Sequence, residues 1–440
     1  MKKPEMTFTA AGDALLIRLI PTDDEEFRTV SEYVRKGDAA FCNLETTVHR
    51  GGHYGNQFNG AVNLRADPKV LDIVKEYGFN MLSFANNHTF DFGYGGLEET
   101  LRHVTEAGFA HAGVGMNLDE AAAPAYLDTK KGRVALISMV SSMVNEAAMA
   151  GRQSRRVVGR PGLNPLRIDE RVEVTPAQYA VFQEVSETSG VNVAVNISRA
   201  EGFTGPKPEG AVEFGRQKLK FFVNENIEKA QYRTRCNKED LARLDRAIYE
   251  AQAPADYILV SLHAHEPADM TKELPGEFVV EFAHHCIDMG AHAVIGHGPH
   301  LLRPLEIYKN CPIFYSLGDF ALHEESLNYG PEEMFEKYGL TSDDALCDIF
   351  RIRSNNYTRG LLAEARMLEA VIPCFKMEDG KLVSMELMPI ALGVERPRYR
   401  NATPFFAPDR GIIERFAKMS APYGTEITVN EQGFGVVKLG

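Results

Sequence analysis

The chain has 440 residues, 44% of them apolar and 25% charged, and a net charge of −13 from 48 Lys and Arg against 61 Asp and Glu. This ordinary globular composition allows two or three domains, or one large domain with insertions, and a core that needs no disulfide or metal staple. The acidic balance argues against broad duplex binding, which rests on neutralising phosphates, so no nucleic-acid partner is expected. A local basic patch is compatible with it.

Cysteines stand at 42, 236, 286, 311, 347 and 374, none in a Cys-x-x-Cys pair. Neither a zinc ribbon nor a thioredoxin-like site is therefore legible, and the scattering suits a reducing compartment. Lys2 and Lys3 precede no apolar segment before Asp13, so no signal peptide is expected. No apolar run approaches the about 18 residues of a membrane span. These features predict a soluble, cytoplasmic protein.

Residues 6–12 (MTFTAAG) read as a short apolar strand ending at Asp13, and 25–36 as a helix. A second buried strand, 39–44 (AAFCNL), ends at Glu45, and a Gly- and Asn-rich loop follows over 49–63. Asp67-Pro68 opens a helix to residue 77, with proline in its first turn. Strand 80–85 (NMLSFA) ends at Asn86, Asn87 and His88; a helix over 94–107 and a strand over 109–115 come next. Strands separated by helices of this length indicate βαβ units and a mostly parallel sheet. Segments 125–127 and 133–140, joined at Lys130-Lys131-Gly132, predict an antiparallel hairpin.

Residues 142–237 break this rhythm, with GRPGLNPLR at 159–167, a helix near 176–188 and a long polar helix near 212–231. The segment reads as an insertion, since long irregular stretches in compact folds are usually functional or disordered. The rhythm resumes with helix 238–252, strand 257–262 ending at His263, helix 277–289, and strand 291–295 ending at Gly296-His297-Gly298-Pro299-His300. Strand 313–316 leads to Gly318-Asp319. A polar insertion over about 321–360 follows, and 363–375 and 381–389 read as a hairpin.

The chemistry lies in position. Asp13, Glu45, Asn87-His88, His263 and His297/His300 each follow the end of an apolar strand. In a parallel sheet those ends share one edge, and ligands bind in the crevice outside them. Two carboxylates, an amide and several imidazoles converging there suit Zn, Mn or Fe held through N and O atoms. A lone histidine of this kind is more often a satisfied core residue; five strand ends with matching chemistry are hard to obtain by chance.

GDALL at 12–16, NLET at 43–46, ANNHTFDFGYGG at 85–96, His263, IGHGPH at 295–300 and YSLGDF at 315–320 resemble the CapA family of poly-γ-glutamate synthesis proteins, over about 6–140 and 238–392. The resemblance implies an α/β fold: a four-layer αββα sandwich of metallophosphoesterase-like type. It would occupy 1–392, interrupted by the insertions near 142–237 and 321–360, with 393–440 a C-terminal extension. The same resemblance implies that Asp13 is the first-strand metal carboxylate and Glu45 the bridging carboxylate. Asn87 is then a metal ligand, His88 the acid/base imidazole, and His263, His297 and His300 later ligands. One divalent ion would take Glu45, Asn87, His263 and His297; the other would take Asp13, Glu45 and His300. Departures from the pattern are Leu15, where a histidine ligand is usual, His265 in a His-Ala-His-Glu run, and Asp319 in place of an asparagine. The Asp13 position is thus short of a ligand, so one ion or none is also compatible, and His265 is an additional ligand, acid/base or substrate contact.

Asp91, three residues beyond His88, either fixes the imidazole tautomer or caps the following helix. Arg152, Arg155, Arg156, Arg160 and Arg167 form a basic run in an acidic chain. They are either a solvated loop or a carboxylate-binding surface, with Arg160 and Arg167 the stronger substrate-binding candidates. Gly93, Gly95 and Gly96 predict a glycine-rich turn before a helix, either an anion cradle or, more simply, a tight turn, and His111, His284 and His285 predict packing roles. Three functions follow. The first is a metal-dependent hydrolase or amide-transfer enzyme, for which the resemblance implies a γ-glutamyl or other acidic peptide-like substrate. The second is a metal-free acid/base epimerase or isomerase using Asp13, Glu45 and His88. The third is a non-enzymatic polymer-binding protein of capsule synthesis.

Overall fold

The structure is a computed structural model and describes residues 2–57, 62–143 and 145–439. It has a mixed α/β architecture with several sheets. By contact density it divides into Met1–Leu166, Glu239–Pro275 and Phe282–Gly440 as one unit, and Arg167–Lys238 with Gly276–Glu281 as a second.

The first unit is built on two large sheets. In one, strand Met6–Leu15 pairs parallel with Ala39–Leu44 and Asp319–Leu322 and antiparallel with Glu369–Glu378. The order continues through Met81–Ser83 to Ala110–Ala112 on one side, and through Lys381–Leu392 to Gly435–Lys438 and Glu426–Val429 on the other. The second sheet runs Leu302–Tyr308, Cys311–Leu317, Ala293–His297, Tyr257–His263, Arg133–Val140, Ala125–Asp128. Its central strands are parallel and buried along their whole length, as near-continuous apolar runs require. Aromatic rings join the sheets: Phe8 lies 5.3 Å from Tyr257, and Phe314 lies 5.7 Å from Phe375.

Helices Glu25–Val34 and Val70–Tyr77 supply Phe27, Val30, Val34, Val70 and Val74 to the core over the first sheet. Asp24 caps the first of them through Phe27 N–H at 2.9 Å. The second begins after Pro68 and stops at Gly78, whose φ of 108° is left-handed. The hairpin Ala125–Asp128/Arg133–Val140 forms as the sequence predicts. The predicted strand 109–115 is cut in two by Gly113 at φ 96°. The stretch before residue 369 is two short 3-10 turns rather than strand.

In the second unit, helix Pro176–Thr188 starts with a Thr175/Gln178 capping box. The expected helix near 212–231 does not form. Strands Ala211–Val212, Lys220–Val223 and Gln231–Cys236 stand there and join Ile168–Val174 in a four-stranded sheet. The polar composition predicts a helix, but Phe221 stacks on Phe182, 4.6 Å away, and meets Phe214 edge-on, 5.7 Å away. Tertiary packing overrides local propensity in such segments.

Candidate active site and metal centre

The two sheets bring their chemistry to one place. His263 and His297 are the last residues of adjacent parallel strands and stand opposite each other in register. On the other sheet, Asp13 is in register with Asn43 on one neighbour and Asp319 on the other. Asp13 lies inside its strand, which runs on to Leu15 past an irregularity between Ala10 and Asp13. Glu45 follows directly on Leu44, and Asn87 and His88 sit in the turn after Met81–Ser83.

The inner cluster is buried. His263 Nδ1 lies 2.9 Å from His297 Nδ1 and 3.7 Å from Asp13 Oδ1. His263 Nε2 lies 2.8 Å from Asn87 Oδ1, 2.9 Å from His265 Nε2 and 3.8 Å from Glu45 Oε1. His297 Nε2 is 2.7 Å from Ser261 Oγ. His300, at φ 59°, holds Asp319 through Nδ1 at 2.9 Å.

In this cluster, three groups among the described residues have donor atoms close enough together to hold an ion: Asp13, His263 and His297; Glu45, His263 and His265; Asp13, His300 and Asp319. This grouping differs from the sequence expectation in two ways. His297 falls with Asp13 rather than with Glu45, because its Nδ1 is 3.5 Å from Asp13 Oδ1. Asp319, rather than Glu45, stands with His300 around Asp13; Leu15 lines the neighbouring cleft.

Burial and close approach shift the charges of the cluster. Burial would raise the Asp13 carboxyl, but the hydrogen bond with His297 and the charge of His300 act against it and hold the group well below the carboxylate range. Burial, with Asp13 and Asp319 nearby, pushes Glu45 far above its usual value. Burial drives His263 well below the imidazole range and, with the charge of His300, lowers His265 to about 3. Both rings are thus neutral donors. Burial opposes charge on His300 as well, yet Asp319 and Asp13 raise it to about 9. Both Glu45 oxygens are buried without a hydrogen-bond partner. A buried carboxylate left in that state is costly unless a proton or a cation satisfies it. Neutral imidazoles facing that carboxylate fit a divalent ion.

Residues outside the expected set shape the cluster. Asn43 Nδ2 donates to Asp13 Oδ1 at 2.7 Å, and Asn86 Nδ2 donates to Asn43 Oδ1 at 3.2 Å and to Leu44 O at 2.9 Å. The signal for Asn43 was strand alternation, which puts 43 and 45 on one face. Gly298 N–H donates to Asp13 Oδ2 at 2.7 Å. At φ 116°, with His263 Nε2 3.2 Å from where a Cβ would sit, this position needs glycine. Arg303, fully buried, ties down the carbonyls of Ala264 and His265 at 3.2 and 2.9 Å; nothing in the local sequence marked it.

Beside the cluster lies a cleft of about 510 Å³. Asn87, His88, His265, Glu266, His300, Glu324 and Arg353 line it with apolar side chains such as Leu15, Val62 and Leu64. His88 Nδ1 is 2.8 Å from Asp91 Oδ2, which also accepts from Leu64 N–H at 2.6 Å. Asp91 does not cap the next helix: the cap residue of Gly93–Glu106 is Phe92, without a side-chain bond. Arg160 and Arg167 are not among the lining residues. Arg160 is exposed and donates to Met149 O at 3.1 Å. Arg167 belongs to the second unit and bonds Asn237 at 3.3 Å. The arginine in the cleft wall is Arg353, paired with Glu324. His284 and His285 pair with Glu306 and Asp245 at 3.0 and 2.6 Å, and His111 bonds Thr105 at 2.9 Å.

No helix among the described residues is long and apolar enough to cross a membrane. An uncharacterized protein of Sinorhizobium fredii, y4sH, is 30% identical over 98% of this chain and 93% of its own length. The capsule biosynthesis protein CapA of Bacillus anthracis is 25% identical over 73% of this chain and 60% of that protein. A probable polyglutamine synthesis accessory protein of Mycobacterium tuberculosis is 26% identical over 68% and 58%. The profile of the bacterial capsule synthesis protein PGA_cap matches residues 7–324, a span that holds every residue of the buried cluster. The chain belongs to that family.

Proposed function

We propose that the chain is a metal-dependent hydrolase or amide-transfer enzyme acting on a γ-glutamyl or other acidic peptide-like substrate of capsule or poly-glutamate chemistry. Part of this reading is a cytoplasmic catalytic domain over 1–392 with a four-layer αββα sandwich of metallophosphoesterase-like type. In it, 142–237 and 321–360 are insertions and 393–440 an extension. The observation that carries it is the convergence of buried Asp13, Glu45, His263 and His297 with half-buried Asn87 and His265 beside a cleft edged by His88.

Asp13, Glu45, Asn87, His263, His297 and His300 would be the ligands, with Asp319 and His265 added to them. A divalent Zn, Mn or Fe there would polarise a scissile carbonyl and lower the pKa of a bound water. The protein's own groups do the rest. Asp91 holds His88 through Nδ1, which leaves Nε2 to give a proton to the leaving group or take one back. Asn43 and Gly298 N–H fix the Asp13 carboxylate. Arg353 offers a guanidinium to a substrate carboxylate, and the apolar wall of Leu15, Val62 and Leu64 excludes water. Metal analysis joined to an activity screen on γ-glutamyl and phosphoester substrates tests the reading. Asn87→Ala and His297→Ala lose bound metal, whereas His88→Ala keeps it and loses activity. Unchanged metal content in both ligand variants would refute the assignment.

A second reading is proton exchange at an activated carbon, as in epimerisation. The complete His88–Asp91 dyad, together with Leu15 at the expected ligand position, favours it. Solvent deuterium entering a peptide substrate at full rate after exhaustive chelation would select this reading.

A further inference from the structure

A second histidine cluster lies outside the buried centre. His49 follows the short strand Thr47–Val48, His53 comes four residues later, and Glu99 is on helix Gly93–Glu106. Donor atoms of these three residues lie within 4.8 Å of one another. His53 Nε2 is 2.7 Å from Glu99 Oε2, and the rings of His49 and His53 are 5.1 Å apart. We propose that His49, His53 and Glu99 form a second divalent-metal site, of zinc type, that clamps the loop after residue 49 onto this helix.

Two imidazoles and one carboxylate are a zinc donor set with one position left for water. The independent observation is His49 Nε2. The residue is 1% exposed and this nitrogen has no hydrogen-bond partner. It faces the helix, 3.5 Å from where a Cβ on Gly96 would sit. Buried polar atoms of this kind call for an explanation, an unseen ion among them. Coordination through Nε2 puts the ring proton on Nδ1 and gives up a 3.2 Å bond from Gly51 N–H. Arg65 is drawn aside by Tyr329, its guanidinium 4.3 Å from the ring centroid. Arg102 approaches the other oxygen of Glu99, at 3.6 Å, which leaves Oε2 to the site. Gly95 carries no side chain where a Cβ would lie 2.4 Å from His53 Nδ1.

The clamp has a consequence for the cleft. Asn56, on the same loop, donates from its backbone N–H to Asp91 O at 2.7 Å and from its side chain to Phe90 O at 3.2 Å. An ion at His49 therefore holds the segment that carries His88 and Asp91 without touching either. Its role is positional.

Equilibrium dialysis of the full chain against zinc, with His53→Ala and Glu99→Gln beside the wild type, tests this. Each variant should hold one equivalent fewer, or bind it weaker by at least the roughly 10–100-fold that losing even an outer partner of a ligand costs. Zinc should raise the urea midpoint of the wild type above that of either variant, since an ion bound only by the folded state stabilises it. Glu99→Gln keeps the shape of the side chain, so a folding defect in His53→Ala leaves the outcome readable. The buried centre loses its own equivalent through Asn87→Ala, so the two sites fail separately. Equal zinc stoichiometry and affinity in wild type and both variants would overturn the proposal and leave a His53–Glu99 ion pair.

Discussion

At the scale of single residues, Asp91 separates a catalytic partner from a helix cap. Its carboxylate is buried against His88 and Leu64 N–H and caps nothing. Asp91→Asn should keep metal content and lower kcat by roughly 10²–10⁴, the range for a misplaced general acid/base, read by steady-state assay beside metal analysis. The acidic protein needs a cation for an acidic substrate, since its overall field repels anions, and Arg353 is an arginine that lines the cleft. Arg353→Ala should weaken binding of an acidic peptide about 10–100-fold, the worth of a charged hydrogen bond at about 1.5–3 kcal/mol. Arg160→Ala, whose guanidinium serves Met149 O, should change it little. Titration of each variant by calorimetry decides between them. The basic run was visible in sequence; that Arg160 does not line the cleft was not, because loop direction is set by contacts far along the chain.

At the scale of elements, the site depends on strands approaching more closely than side chains allow. A Cβ on Gly12 would lie 1.8 Å from Gly318 O, and the next residue, Asp13, donates its N–H to that same oxygen at 3.2 Å. Gly12→Ala should destabilise by about 1–3 kcal/mol, as overpacking does, and should also lower metal affinity by displacing Asp13. Urea unfolding and metal titration of the variant measure both. The parallel strands and most helices were legible because apolar runs and caps are local signals. The expected helix near 212–231 failed where pairing with Ile168–Val174 and the Phe182–Phe221 stack outweighed charge composition. Strand Leu302–Tyr308 escaped notice because Arg303 and Pro304 interrupt its apolar pattern.

At the scale of the molecule, buried histidines tie stability to pH. His292 is buried, accepts from Ile258 N–H at 3.1 Å, and is lowered to about 3 by burial and the charge of Lys3. The unfolded chain binds this proton below about 6.5 and the folded one does not, so stability is full above pH 6.5 and falls with pH below it. One such group contributes a slope of about 1.4 kcal/mol per pH unit between those two values. His292→Gln should flatten the loss by that slope, measured by denaturant midpoints between pH 6.5 and pH 4.5. By itself, the sequence determined the mixed α/β architecture, the family, and the residue types at the strand ends, since apolar runs, turns and motif blocks are written locally. Only the tertiary structure decided how those ends meet. Two sheets, not one edge, supply the cluster; His297 goes to Asp13, Asp319 stands with His300 around Asp13, and Asn43, Gly298 and Arg303 hold the frame. The reason is register: which carboxylate faces which imidazole depends on strand pairing and sheet packing between residues hundreds of positions apart, and no local pattern encodes that distance.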